Sequence, residues 1–100
     1  DGEQAPTFGG GLHFTARVVS ATLQPAPVLV EYRIEHRASA GELRRATGRL
    51  LARTVDPLAD VSVRRMHRLP RHPSSRWTAG DCRLVVTING RDDATATFTL

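Results

Sequence analysis

Cys82-Arg83-Leu84-Val85-Val86-Thr87-Ile88-Asn89-Gly90-Arg91-Asp92, with Ala94 to Leu100 behind it, is the stretch whose reading decides the fold. Cys82, Leu84, Val86 and Ile88 alternate with Arg83, Val85, Thr87 and Asn89, the period of two expected of a strand with one face on a core. Asn89-Gly90 then supplies the residues that most readily adopt the left-handed conformations of a two-residue hairpin turn. Past the turn, Thr95, Thr97 and Thr99 share one face, and Ala96, Phe98 and Leu100 share the other. The chain therefore closes on an antiparallel hairpin.

The same alternation recurs upstream. Leu12, Phe14, Ala16 and Val18 alternate with mostly polar neighbours, and Gln24-Pro25-Ala26-Pro27 interrupts, because two prolines cannot donate to a central ladder. Val28, Val30, Tyr32 and Ile34 alternate with Leu29, Glu31, Arg33 and Glu35 as a second strand, and Ala38 to Gly41 is a turn. The segment from Leu43 to Val55 fits helical spacing as well. Gly48 at its centre, Thr47, Thr54 and the extended neighbours favour a strand. Ala46, Gly48, Leu50 and Ala52 would then face inward, and Arg45, Thr47, Arg49, Leu51 and Arg53 outward. Asp56-Pro57 turns the chain into a strand containing Ala59, Val61 and Val63, whose alternation slips at Arg64 to Arg68, where a bulge is expected. Leu69 to Ser75 is a loop with Trp77 anchoring its far end. Six or seven short strands with regular turn signals predict an all-β, antiparallel β-sandwich. The expected organisation is a flexible N-terminal lead over residues 1–11 and one domain over 12–100.

Composition narrows the function. One hundred residues, 40% of them hydrophobic, suffice for one modest core. No apolar run approaches the roughly 20 residues that span a bilayer, so no membrane insertion is expected. The polar lead from Asp1 to Gly11 resembles the start of a processed secreted protein. A lone cysteine, Cys82, leaves no internal disulfide and sits on the inward phase of its strand, where a thiol is normally inert. All fourteen basic residues are arginine. Between Arg33 and Arg76 eleven arginines stand against Glu35, Glu42, Asp56 and Asp60, a surplus of seven positive charges in a chain whose net charge is +4. Such an asymmetric field attracts acidic or polar partners in a salt-dependent way.

Arg45, Arg49 and Arg53, with Arg33 and Arg37 on the neighbouring strand, form the candidate binding face. The competing reading is that charges on a sheet merely prevent edge-to-edge aggregation. Arg64, Arg65, Arg68 and Arg71 extend the positive field. A nucleic-acid partner is not expected, because only five aromatic residues are present, three of them on core-facing positions, and no base-stacking platform or binding motif is legible. His13, His36, His67 and His72 lack metal-site spacing, and Ser74, Ser75, His72 and Asp81 lack a nucleophile elbow or fixed base. No metal, cofactor or catalytic activity is expected.

The stretch Ala21-Thr22-Leu23-Gln24-Pro25-Ala26-Pro27-Val28-Leu29-Val30, the alternating strand it leads into, Gly41 and the polar strand from Leu43 to Thr54 resemble the CsgC-like family of curli-assembly proteins, nearest its CsgH branch. The resemblance covers residues 12–100. It implies an immunoglobulin-like sandwich of about seven strands in the periplasm, a monomer that keeps curlin subunits from nucleating amyloid. The arginines at 33, 37, 45, 49 and 53 would then hold early curlin species by electrostatic contact. Val28 and Val30 stand where some family members carry a Cys-x-Cys pair, so a thiol–disulfide role is not implied. The alternative is a generic envelope module that binds protein or carbohydrate, its arginines serving solubility.

Overall fold

The computed structural model describes residues 6–20 and 23–100. Six strands follow in order: β1 (Gly11–Val19), β2 (Ala26–Arg37), β3 (Leu43–Val55), β4 (Asp60–Arg68), β5 (Asp81–Ile88) and β6 (Arg91–Thr99). They form two antiparallel sheets, a two-stranded one of order β1-β4 and a four-stranded one of order β3-β2-β5-β6. The domain is an all-β sandwich, as the alternation predicts, and an immunoglobulin-like one, with six strands among the described residues in place of about seven. Leu43 to Val55 is a strand. Of the N-terminal lead, residues 1–5 lie outside the described residues; Phe8 packs against the core, and Gly9 N–H donates to the Pro70 carbonyl at 2.7 Å.

The closing hairpin forms as its sequence dictates. Asn89 and Gly90 both take positive φ, 50° and 84°, the pair that lets a two-residue turn follow the twist of its strands. The core lies between the sheets, on Leu12, Ala16 and Val18 of β1, Val30, Tyr32 and Ile34 of β2, Leu50, Leu69, Trp77 and Leu84. Tyr32 occupies its centre because Gly48 of β3 leaves room: a Cβ at position 48 would come within 2.5–2.6 Å of the tyrosine ring. Phe14 meets that ring edge-on at a centroid distance of 5.0 Å.

Two strands bulge, and neither bulge lies where the sequence suggests one. In β3, Val30 of β2 pairs with Leu51 and Glu31 with Arg49, which leaves Leu50 as an extra residue. In β6, Asp93 is the extra residue between Ala94 and Asp92. β4 pairs with β1 without any shift from Gly11–Arg68 to Val19–Asp60, so the expected bulge at Arg64 to Arg68 is absent. The apparent slip of alternation there has another origin. Arg65 and His67 hold the inward phase of β4 at the rim of the sandwich, where polar ends reach partners across the sheets. The Tyr32 hydroxyl and His67 Nδ1 share a hydrogen bond of 2.8 Å, and Arg65 Nη2 donates to the Arg49 carbonyl at 2.9 Å.

The loop from Leu69 to Gly80 ties the two sheets at one end. Trp77 is buried and stacks on His36 with centroids 3.8 Å apart and planes 5° from parallel. Backbone bonds from Thr78 to Arg37 and from Ser39 to Ser75 fix the loop on either side of the stack.

Candidate nucleic-acid interface

The five arginines expected to share one binding face are divided by the structure. Residues opposite one another in an antiparallel ladder lie on the same face. Arg45, opposite Glu35, and Arg49, opposite Glu31, stand on the outer face of the four-stranded sheet, with Arg33 and Arg37. The Leu50 bulge reverses the phase beyond it. Arg53 therefore faces the same side as Val28, its ladder partner, and Leu51 turns to the core instead of to solvent.

On the outer face three of the arginines converge on one carboxylate. Glu35 is 4% exposed and accepts from Arg33 Nε at 2.9 Å and Arg83 Nε at 2.7 Å, with Arg45 Nε 3.7 Å away. Hydrogen bonding from Arg33, before all else, holds the Glu35 carboxyl below the usual range against the opposing push of burial. The other edge of the Arg33 guanidinium grips Asp92 with two bonds of 2.8 Å, a bidentate fork that raises its own pKa. Arg37 donates to the Gly41 carbonyl. At the far end of β1, Arg17 makes a similar fork to Asp60, which lowers the Asp60 carboxyl.

The long side where the free edges of β3 and β4 run past each other is different. Arg53 of β3 and Arg65 of β4 hold the inward phases of these edges and Arg64 and Arg68 the outward phase of β4, and none of the four has an acidic partner among the described residues. Glu31 faces Arg49 across the ladder without forming an ion pair. A bond from Arg65 to the Arg49 carbonyl joins the two strands here, and Arg45 stands farther along β3 on the outer face. At about 3.3 Å per residue, Arg45 to Arg53 spans on the order of 25 Å, and Arg64 to Arg68 about 13 Å. Arg71 continues the charge past β4, beside Gly9. Only part of this side was visible in the sequence: Arg64, Arg65 and Arg68 register as extra positive field, but nothing local tells paired arginines from unpaired ones.

No other chemistry assembles. Among the described residues no group of three or more His, Cys, Asp or Glu side chains could hold a metal, and no helix is long and apolar enough to cross a membrane. Cys82 is buried, and burial pushes its thiol up.

Known proteins place this geometry in context. In solved structures the chain is similar to the Pseudomonas fluorescens alkylpurine DNA glycosylase AlkC bound to DNA containing an abasic site analog, with a TM-score of 0.83 at 22% identity. That likeness covers 93% of this chain and 26% of the other, so the chain spans about a quarter of the glycosylase's length. No curated protein matches in sequence. The family model described as "Uncharacterised protein YhaZ, C-terminal Ig-like domain" matches residues 2–100. These findings overturn the resemblance to the CsgC-like family and its CsgH branch, and with it the expected role in curli assembly, the inhibition of amyloid and the curlin partner. The shared signal was the strand spacing of a sandwich, which many families carry. The expectation of no nucleic-acid partner is likewise set aside, since the neighbour of which about a quarter shares this fold was solved bound to DNA. With all but its first residue inside one family model, the chain belongs to the YhaZ C-terminal Ig-like domain family.

Proposed function

We propose that this domain docks DNA through its sugar-phosphate backbone, as a non-catalytic module of a larger protein. The observation that carries the reading is the β3–β4 side, where Arg53, Arg64, Arg65 and Arg68 have no acidic partner among the described residues, beside a face on which Glu35 and Asp92 engage Arg33, Arg45 and Arg83. Duplex DNA presents a phosphate charge every 1.7 Å or so of its axis, and each arginine that meets one releases counterions. The guanidinium fork matches phosphate oxygens in two-point geometry. Nothing on this side reads base edges in the manner of a recognition helix, so the docking is expected to be indifferent to sequence. The likeness to about a quarter of a DNA-bound glycosylase supports the choice of DNA over another polyanion.

Titration of a short labelled duplex by fluorescence anisotropy, from roughly 50 to 200 mM salt, tests this. With four contacts the logarithm of affinity should fall against the logarithm of salt with a slope of about −4. Arg64→Glu with Arg68→Glu should weaken binding about 100-fold and flatten that slope by about 2, without changing the fold. Reversed-charge protein that binds as the parent does would remove the β3–β4 side as the docking surface.

A further inference from the structure

The outer face of the β1–β4 sheet, next to the β3–β4 side, carries an arrangement that backbone docking leaves unused. His13 stands opposite Met66, and Thr15 opposite Arg64, as two cross-strand pairs side by side. With Phe14 and Arg65, whose side chains turn to the other side of the sheet, they border an open depression of about 390 Å³. Met66 is 44% exposed, one outward pair from the Gly11–Arg68 end of this face. Its thioether lies over Gly11, where a Cβ would run into Met66 Sδ and Cγ. The missing side chain at position 11 thus lets Met66 lie toward the end of the sheet, away from Arg64.

Side chains that share a face of one strand stand about 6.7 Å apart, twice the rise per residue. Met66 and His13 lean toward Gly11, which widens the gap beyond this at its outer end, so the two pairs leave room for one planar ring about 3.4 Å thick between them. The groups on either side suit a base. An imidazole and a guanidinium offer planes that stack on nucleobases, and a methionine sulfur is a polarizable contact for an aromatic ring. Arg68, which has no acidic partner among the described residues, shares this face opposite Gly11 and is placed to meet a phosphate beside the nucleotide whose base enters.

We propose that this depression is a slot for one unpaired nucleobase, gripped between the His13–Met66 pair and the Thr15–Arg64 pair. The inference rests on the backbone-docking reading and adds a preference to it: the domain favours nucleic acid that offers an unstacked base. Bases inside an intact duplex are held by pairing and stacking and cannot reach the sheet. Sequence preference is weak, because every base has a face to stack.

The test compares a labelled single strand with the same sequence as a duplex, using the parent and the double variant His13→Ala, Met66→Ala. Both side chains are exposed, so the variant should keep the parent's thermal midpoint. The parent should bind the single strand about tenfold more tightly than the duplex. The double variant should lose that advantage and keep the parent's duplex affinity. A 2-aminopurine in the single strand should be quenched on binding by the parent and much less by the variant. Equal affinity of the parent for both forms, or an equal loss on both forms in the variant, overturns the slot and leaves backbone docking standing. No binding of either form at low salt overturns docking and slot together.

Discussion

The outer face of the β3-β2-β5-β6 sheet and the β3–β4 side are both rich in arginine, yet they do opposite work. On the face, Arg33, Arg83 and Arg45 converge on one buried carboxylate, Glu35, and Asp92 takes the far edge of Arg33. On the side, Arg53, Arg64, Arg65 and Arg68 find no acid among the described residues. The difference lies not in the arginines but in where the fold delivers acids. Charge density along the sequence therefore locates a field, while pairing in space decides whether that field stabilises the domain or remains available to a partner.

The sharpest way to break this contrast is to remove the acid at its centre. Glu35→Gln leaves Arg33, whose side chain is 18% exposed, half-stripped of its compensation, and should cost about 3 kcal/mol of stability. Single changes of Arg64 or Arg68 to alanine should stay within about 0.5 kcal/mol. Thermal or urea unfolding of the three variants checks both halves. Equal effects on face and side would erase the distinction.

A smaller loss is expected at the junction that holds the β3–β4 side in place. Gly48→Ala drives a methyl into the Tyr32 ring, and Tyr32 carries the hydrogen bond to His67 on β4. Displacing a central core ring by overpacking should cost about 2 kcal/mol. It should also weaken duplex binding, because Arg65 and Arg49 lose their register, whereas Glu35→Gln should lower stability with little change in binding by the folded fraction. Unfolding and anisotropy on the same samples separate these outcomes.

Acidification gives the gentlest probe. Burial depresses the pKa of His36 and His67, so the unfolded chain takes up protons that the folded chain refuses. Stability should begin to fall as pH drops below the ordinary histidine value of about 6.5. Glu35 adds a second loss. Its folded pKa is depressed, so its contribution is fully present above the unfolded value of about 4.3 and disappears as pH falls through the folded one. Unfolding curves between neutral and acid pH should show two stages, and His36→Phe should flatten the first. A single stage unaffected by that substitution would refute the assignment.

Most of the scaffold was legible in the sequence, because alternation and the Asn89-Gly90 turn are local signals. The bulge at Leu50 was not. One extra residue in β3 looks like uninterrupted alternation until the partner strand sets the register, and it sends Arg53 to a different face from Arg45 and Arg49. In β4 the error ran the other way: Arg65 and His67 look like a slip, but they keep the inward phase and satisfy their polar ends on the Arg49 carbonyl and the Tyr32 hydroxyl. The fork from Arg33 to Asp92 joins residues 59 apart, which no local pattern announces. The candidate site was thus half visible, as positive charge, and half hidden, as the question of which arginines the fold had already used.

Trp77 is the single tryptophan of the chain, 8% exposed and stacked on His36 at the end of the sandwich away from the hairpin turn at Asn89-Gly90. Intrinsic fluorescence is therefore a local gauge. Its colour and yield follow how firmly the strap from Leu69 to Gly80 is fastened across the two sheets, and whether the imidazole beneath it carries a proton. A titrant that loads only the arginine side leaves this emission untouched, and one that dims or shifts it has reached the strap.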